Sequence, residues 1–337
     1  MGWRDKLFVT GGARVDKNSA FGRDVGNTVY PRASVSYVIS DEAFWPKLNW
    51  LNRVRLRSAW GKAGVQPGTV AALQYLSAST YPTDAGETPG LRLFSIGNQN
   101  LKPEVTTELE AGADVGFLND RINLEATFFN KESKDALFQA PLPPSYGAGA
   151  TQWENLAKVQ NRGFELAVDA TVVRTDPVTF DFRFNGSIIK NKLVDAGTAQ
   201  LPTTPGARNV VGYPLFGLWD RQLVSYADAN SNGIIEESEI VVSDSAKFRG
   251  STLPVRQAGL TTSLGFFKNT LRLSTLFDYR GDFYNQWGYQ NQRCVATGNC
   301  RAVNDPTAPL ADQAAAVGAN SPSKRTLWGM FVPNDFI

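Results

Sequence analysis

The chain has no histidine among its 337 residues. Serine–histidine and cysteine–histidine nucleophile pairs, and zinc sites with histidine ligands, are therefore excluded. Carboxylate pairs on one strand face, such as Glu108 and Glu110, could in principle act as an acid and a nucleophile. Alternating strands explain them better as polar lining, so we expect no catalytic residues and no enzyme.

Long hydrophobic runs are also missing. No stretch reaches the roughly 18 apolar residues that a membrane-spanning helix needs. Barrel strands bury apolar side chains only at alternate positions, so the mean hydropathy of -0.25 does not argue against a membrane barrel. The 34 basic residues nearly balance the 32 acidic ones, which is unlike a nucleic-acid-binding protein. Met1 to Lys6 begins no apolar signal segment, so we expect no secretory signal peptide.

Cysteine is scarce, with Cys294 and Cys300 the two examples in the chain. They lie close together in a polar segment. In an oxidising compartment such a pair closes a small loop through a disulfide, which is the interpretation we prefer. Two unrelated free thiols are the alternative.

Alternation of apolar and polar residues is the main positive signal. From Glu108 to Phe117 every second residue is apolar, which predicts a strand with one apolar face. A turn at Leu118 to Arg121 and a second alternating segment complete a hairpin. The same pattern predicts strands at Leu7–Val15, Pro31–Ser40, Arg53–Trp60, Gly163–Val173, Phe180–Ile189, Gly259–Phe267 and Leu271–Tyr279, and a weaker one at Leu215–Tyr226.

The predicted connections alternate between short and long. Tight turns at 119–120, 174–177 and 268–270 contrast with long segments near 66–104, 139–157, 190–255 and 284–331. Short turns on one side and long loops on the other are typical of outer-membrane barrels. About ten strands with charged residues at their centres favour a barrel with a wide polar lumen. The strands of a soluble β-sandwich show the same alternation, so the sandwich remains an alternative.

Two segments resemble a family. Gly97 to Gly112, which reads GNQNLKPEVTTELEAG, resembles a recurring barrel segment of TonB-dependent outer-membrane receptors. Arg121 to Lys131, followed by Ser133 to Asp135, resembles the next strand of that family. Asn161 to Leu166 (NRGFEL) and Gly212 to Gly217 (GYPLFG) are similar to elements of its SusC/RagA-like branch. The resemblance runs from about Tyr30 to Ile337.

The resemblance implies an all-β fold: an antiparallel transmembrane β-barrel, here about ten strands of a 22-stranded barrel, with short periplasmic turns and long extracellular loops. Residues 1–337 would form part of this barrel domain, and no plug domain or signal peptide is recognised. The carboxyl end, Phe331 to Ile337, resembles the start of a further strand. We therefore expect a fragment of a longer receptor.

The implied function is import of oligosaccharides or peptides across the bacterial outer membrane. The implied partners are the TonB complex, acting through the plug, a SusD-like surface lipoprotein, the substrate and outer-membrane lipid, with no nucleic acid. Two alternatives stay open: a siderophore or cobalamin receptor of the same family, and a soluble secreted carbohydrate-binding β-sandwich with a calcium loop. The transported substrate is not predicted.

A possible calcium loop follows the GYPLFG element. Its twelve residues match the EF-hand pattern D-x-[DN]-x-[DN]-G-x5-E. Calcium prefers oxygen ligands at these positions, and a glycine at the sixth position supplies the sharp turn. The predicted ligands are Asp228, Asn230, Asn232, the Ile234 carbonyl, Glu236 through water, and Glu239. The flanking residues look extended rather than helical, so an Asn/Gly-rich turn that binds nothing is the alternative.

Overall fold

The structure is a computed structural model. It describes residues 1–23, 25–84, 86–146, 151–197, 206–285, 288–327 and 332–336. The chain divides into two compact units. The first comprises Met1–Gln200 with Leu260–Leu276, and the second comprises Leu201–Gly259 with Phe277–Ile337.

Strands dominate the described residues. In chain order they are β1 (Gly2–Trp3), β2 (Leu7–Asp16), β3 (Thr28–Val38), β4 (Leu51–Val65), β5 (Tyr75–Thr83), β6 (Gly86–Ser95), β7 (Glu104–Phe117), β8 (Ile122–Pro141), β9 (Thr151–Arg174), β10 (Val178–Asp195), β11 (Gly206–Arg208), β12 (Gly217–Asp220), β13 (Leu223–Tyr226), β14 (Ile240–Val242), β15 (Lys247–Gly250), β16 (Arg256–Phe266), β17 (Leu271–Asn285) and β18 (Val332–Phe336).

The main sheet follows the path β1-β2-β3-β4-β7-β8-β9-β10-β16-β17-β18. Neighbours from β2 to β10 along this path pair antiparallel, with bulges in the β4–β7, β8–β9 and β9–β10 pairs. A single path of antiparallel neighbours confirms the predicted all-β antiparallel architecture. It differs from a sandwich, in which the strands are shared between two packed sheets.

The short connections lie where the sequence predicts them. Leu118, Asn119 and Asp120 all have positive φ, near 53–59°, in the turn between β7 and β8. Phe267, Lys268 and Asn269 repeat that conformation between β16 and β17. Asparagine and aspartate tolerate the left-handed region better than most residues, which is why such sequences form tight turns.

The long connection predicted at 66–104 carries a hairpin of its own, because β5 and β6 pair within it antiparallel. One strand prediction is wrong. Leu215–Tyr226 is not one strand of the main sheet. It breaks after Asp220 into β12, which pairs with β11 and β15, and β13, which pairs with β14. Alternation alone cannot distinguish one long strand from two short ones with different partners.

The second unit combines these small sheets with short helices. They are α1 (Gly288–Asn291), α2 (Arg301–Asn304) and α3 (Leu310–Asn320). Ile235, Ile240 and Ala314 of α3 form its buried apolar cluster, each no more than 2% exposed. Among the described residues, no helix is long and apolar enough to cross a membrane.

Candidate functional site

One face of the main sheet is apolar across several strands. The registers align Ala111 of β7, Phe128 of β8, Phe164 of β9 and Ile188 of β10 in one cross-strand row. Phe128, Phe164 and Ile188 are each 45–49% exposed, although they are large and apolar. An exposed apolar surface of this kind marks a face that contacts lipid or another protein.

The apolar face has two boundaries. Toward the short turns, the last row contains Phe117 and Ile122. The Trp50 ring stacks on the Phe117 ring there, with the ring centroids 6.2 Å apart. Toward the long connections, Leu109 pairs with Asn130, and Asn130 pairs with Arg162. Leu109 through Phe117 therefore define a band about nine residues long, the length that a tilted strand needs to cross a bilayer.

The opposite face carries charges held in pairs. Asp114 on β7 is 5% exposed and accepts hydrogen bonds from Arg55 Nε at 2.6 Å and Arg57 Nε at 3.1 Å. Arg57 also donates to Thr127 on β8. Gly112 makes room for this arrangement, because a Cβ there would lie 3.1 Å from the Arg57 guanidinium carbon. The two arginine side chains compensate the negative charge of this buried carboxylate, which would otherwise be costly to bury.

A polar groove of about 820 Å³ lies on the same face near the short turns. Asp169 and Arg183 face each other across β9 and β10 in an ion pair of 2.5 Å. The charged residues that line the groove are Arg53, Asp120, Arg121, Glu125, Asp169, Asp181, Arg183 and Arg272. Four of these residues are basic and four are acidic, so this wall has little net charge.

An apolar outer band and a charged inner face on antiparallel strands with short turns describe the wall of a membrane barrel. Residues 1–236 match the model of the family described as TonB dependent receptor-like, beta-barrel. The chain belongs to this family. The predicted TonB-dependent receptor resemblance is thereby confirmed. TonB-dependent receptors are transport proteins, and membership carries no support for an enzyme.

Curated relatives carry the same family name. A TonB-dependent receptor, P26 of Formosa agariphila, is 27% identical over 78% of this chain and 29% of its own length. The TonB-dependent receptor SusC of Bacteroides thetaiotaomicron is 29% identical over 54% of this chain and 18% of its own length. The chain therefore spans less than a third of the curated relatives that it matches.

Solved structures share the fold. The RagAB peptide transporter matches with a TM-score of 0.72 at 19% identity, over 84% of this chain and 32% of that chain. The outer membrane transporter YddB of Escherichia coli matches with a TM-score of 0.50 at 13% identity, over 84% of this chain and 32% of that chain. These likenesses support the barrel fold of this TonB-dependent receptor chain.

The GNQNLKPE segment of the receptor ties together the strand ends on the long-loop side. Leu101 is fully buried, and Asn98 donates to the Trp153 carbonyl at 2.8 Å. Asn155 of β9 accepts from the Lys102 amide and donates to the Lys102 carbonyl, both at 2.8 Å, and to the Asp135 carbonyl at 2.9 Å. One side chain thus clamps the start of β7 to a bulge in β8.

The GYPLFG element leads into the small sheet of the second unit. Gly212 has φ +92°, and Tyr213 packs against Trp219 and Phe248, with ring centroids 4.8 and 5.0 Å away. Arg208 lies 4.7 Å over the Trp219 ring. Trp219 is only 8% exposed. It therefore belongs to an aromatic core and does not offer a surface on which a sugar ring could stack.

The predicted calcium loop adopts a compact turn. Asp228 accepts hydrogen bonds from the Asn232 and Gly233 amides, and Glu239 accepts from the Ala229 and Glu236 amides, at 2.8–3.1 Å. Gly233 has φ +78°, which suits a sharp turn at the sixth position. Glu239 Oε1 also accepts from the Asn230 amide at 3.4 Å, whereas each Asp228 oxygen accepts one of these amides.

The other predicted ligands lie within the same turn. Asn230 Oδ1 accepts from the Asn232 amide at 3.0 Å, and Asn232 Oδ1 accepts from the Ile234 amide at 2.7 Å. Glu236 is the N-cap of a single 3₁₀ turn, Glu237–Glu239, and forms a capping box with Glu239. Across the described residues, no three histidine, cysteine or acidic side chains converge as a metal site. A cation here would therefore need amide and carbonyl oxygens as well, and the oxygen-rich ligand set fits calcium in kind.

The two cysteines come together in the second unit. The structure pairs Cys294 with Cys300 in a disulfide, with Cα atoms 5.1 Å apart. Cys294 is fully buried and Cys300 is 7% exposed. The Arg293 side chain and the Asn299 amide close the same small loop through hydrogen bonds.

Some residues that organise these sites escape sequence reasoning. Gln313 of α3 is 5% exposed; it accepts from the Ile235 amide at 3.0 Å and donates to the Gly233 carbonyl at 3.1 Å. It fixes the peptide groups on both sides of Ile234. In the first unit, Asn155 likewise holds backbone groups of distant segments through its side-chain amide. Both have partners that are distant in sequence, so no local pattern marks them.

Proposed function

We propose that the chain forms part of the wall of an outer-membrane importer that takes up oligosaccharides or peptides with energy delivered through TonB. The observation that carries this proposal is the aligned apolar band on one face of the strands, backed by ion pairs on the other. A lipid-facing surface and a water-filled lumen account for both faces at once. The remaining barrel strands and a plug domain would be supplied by the rest of a longer receptor.

The chain's own part in transport is that of a rigid, hydrated wall. Asp114, Arg55, Arg57, Asp169 and Arg183 keep the inner face polar and hold its charges in ion pairs, with one arginine in excess. The RagAB peptide transporter, whose fold this chain shares, supports a substrate in the peptide class. The resemblance to the SusC/RagA-like branch supports oligosaccharides as the other class and a SusD-like lipoprotein as the surface partner.

The first test is localisation. An epitope-tagged copy of the complete receptor that contains this chain is expressed in its own bacterium, and membranes are separated on a sucrose gradient. We expect the tag in the outer-membrane fraction, resistant to carbonate extraction and extracted by detergent. Recovery as a soluble periplasmic or secreted protein would overturn the proposal and favour the sandwich alternative.

The second test concerns the substrate class. A deletion strain is grown on single oligosaccharides, on peptides as the nitrogen source, and under iron or cobalamin limitation. We expect a defect on one oligosaccharide or peptide class, restored by the wild-type gene. A defect confined to iron or cobalamin limitation would instead establish the siderophore or cobalamin alternative.

We also propose that the Asp228–Glu239 loop binds calcium weakly and structurally. The support is the full EF-hand spacing together with the turn at Gly233 and the backbone amides of the same loop that hold the Asp228 and Glu239 carboxylates. Only these two of the side-chain ligands at positions 1, 3, 5 and 12 are carboxylates, and low ligand charge favours low affinity.

Calorimetric titration of the purified receptor with calcium tests the loop. We expect one site that is lost in Glu239→Gln and kept in the control Ser245→Ala, which lies beyond the loop. Equal binding by Glu239→Gln, or none by the wild type, would show that the loop is an ordinary turn.

A further inference from the structure

A segment after α3 is bound to strands of both small sheets of the second unit, β12 and β14. We define residues Ser321 to Leu327 as the strap. At its first half, the Ser323 hydroxyl donates to Glu237 at 2.6 Å, and the Lys324 ammonium donates to the Ile240 carbonyl at 2.8 Å. Arg221 donates to the Ser323 carbonyl at 2.9 Å.

The second half of the strap is held by a buried carboxyl. Asp220, the last residue of β12, is 7% exposed, and its Oδ1 accepts the Leu327 amide at 2.8 Å. Thr326 of the strap is also buried, and its amide donates to the Gly318 carbonyl of α3 at 3.0 Å. The strap therefore contacts the buried Asp220 carboxyl directly, through the Leu327 amide.

Among the described residues, the charged ones that pair with Asp220, follow it in the chain or interact with its carboxylate are basic. Lys247 pairs with it across β12 and β15, and Arg249 of β15 attracts its carboxylate. Arg221 follows it in the chain and reaches the strap, while Arg208 of β11 lies over the neighbouring Trp219 ring. Asp220 forms none of the salt bridges found among the described residues, so its charge rests on hydrogen bonds and on more distant attraction.

We infer that Asp220 is a pH-sensitive clasp, which holds the strap more firmly when its carboxyl is protonated and less firmly when the carboxyl is ionised. A neutral carboxyl still offers its carbonyl oxygen to the Leu327 amide, and burial no longer costs the desolvation of a charge. The ionised carboxyl gains hydration when the strap opens. Opening frees residues 321–327 in the connection from α3 toward β18.

The direction of the effect follows from linkage. Burial raises the pKa of Asp220 to about 6 from the usual 3.8, against the lowering influence of the Leu327 amide, of Arg249 and of the Arg221 amide. The closed strap thus binds a proton more tightly than the open one. Its stability is greatest at low pH and falls as the pH rises from about 4 to about 6. For an open-state pKa near 3.8, opening becomes about tenfold more frequent between pH 5 and pH 7.5.

Hydrogen exchange of the complete receptor in detergent micelles tests this inference. The measurement is the protection of the Leu327 amide at pH 5 and pH 7.5, corrected for the intrinsic exchange rate. We expect about tenfold lower protection at pH 7.5. In Asp220→Asn, whose side chain is uncharged but keeps a carbonyl acceptor, protection should not change with pH and should exceed that of the wild type at pH 7.5.

Ser323→Ala is the matched control, because it removes a strap hydrogen bond without touching Asp220. It should lower protection at both pH values and keep the tenfold difference. A wild type with equal protection at the two pH values would overturn the inference, as would an Asp220→Asn variant that keeps the wild-type difference. Neither result bears on transport, since the strap is independent of the proposed importer.

Discussion

The two units bury their apolar residues in opposite ways. In the strands of the first unit, Phe128, Phe164 and Ile188 remain almost half exposed on a continuous face. In the second unit, Leu218, Ile240 and Ala314 are no more than 2% exposed, within a small conventional core. The first unit has the apolar surface of a protein whose solvent is lipid, and the second has that of a protein folded in water. One chain thus contains both kinds of packing.

The largest expected effect comes from placing a charge on the lipid face. Leu166 lies in the middle row of the apolar band, opposite Ala126 and Gly186. We expect Leu166→Arg to destabilise the receptor by about 3 kcal/mol, because a charge near the bilayer midplane is poorly solvated. Unfolding by denaturant in detergent or lipid measures it.

Ala167→Arg is the matched control, one residue away on the inner face, where it pairs with Glu125 and Asn185. Its cost should be well below that of Leu166→Arg. Equal costs for the two variants would contradict the assignment of one face to lipid and the other to the lumen.

Removing the disulfide should cause a smaller loss of stability, and this loss should be confined to the second unit. Replacing both Cys294 and Cys300 by serine opens a short loop, and chain entropy gives about 2 kcal/mol for a loop of this size. The loss should appear in the second unit alone, as faster exchange of amides in α3 with unchanged exchange in β7 to β9. Thiol titration of the unfolded wild type, with no free thiol expected, checks the bond itself.

The smallest effect concerns the clamp at the long-loop ends of the strands. Asn155→Leu removes hydrogen bonds to Lys102 and Asp135 at a partly hydrated site, so we expect a loss of about 1 kcal/mol. Exchange should rise at Leu101 to Val105 and leave the Leu118 to Arg121 turn unchanged. Uniform loosening of β7 would show that Asn155 supports the whole strand rather than its end.

Much of the first unit follows from the sequence, because every second residue of a strand faces the same side. Glu108 to Phe117 lies within β7, and Phe180 to Ile189 lies within β10. Register and neighbour order come from pairings that no local pattern contains. The same limit explains the error at Leu215–Tyr226, which changes partners after Asp220.

The second unit is less predictable. The calcium motif can be seen in twelve consecutive residues, whereas the partners that hold its surroundings come from far along the chain. Gln313 contacts Gly233 across 80 positions, and Asp220 contacts Leu327 across 107. Burial of a carboxyl depends on such long-range contacts, so nothing in the sequence around Asp220 indicates its raised pKa.

One position on the charged face of the sheet is held by a residue without a side chain. Gly163 on β9 pairs with Phe129, and a methyl group there would lie 2.8 Å from the Phe129 ring and 2.4 Å from the Ile188 carbonyl. The ring occupies space that any other residue at position 163 would fill. A single added carbon would force the ring or the strand to shift, so the position of an aromatic side chain depends on the absence of another side chain.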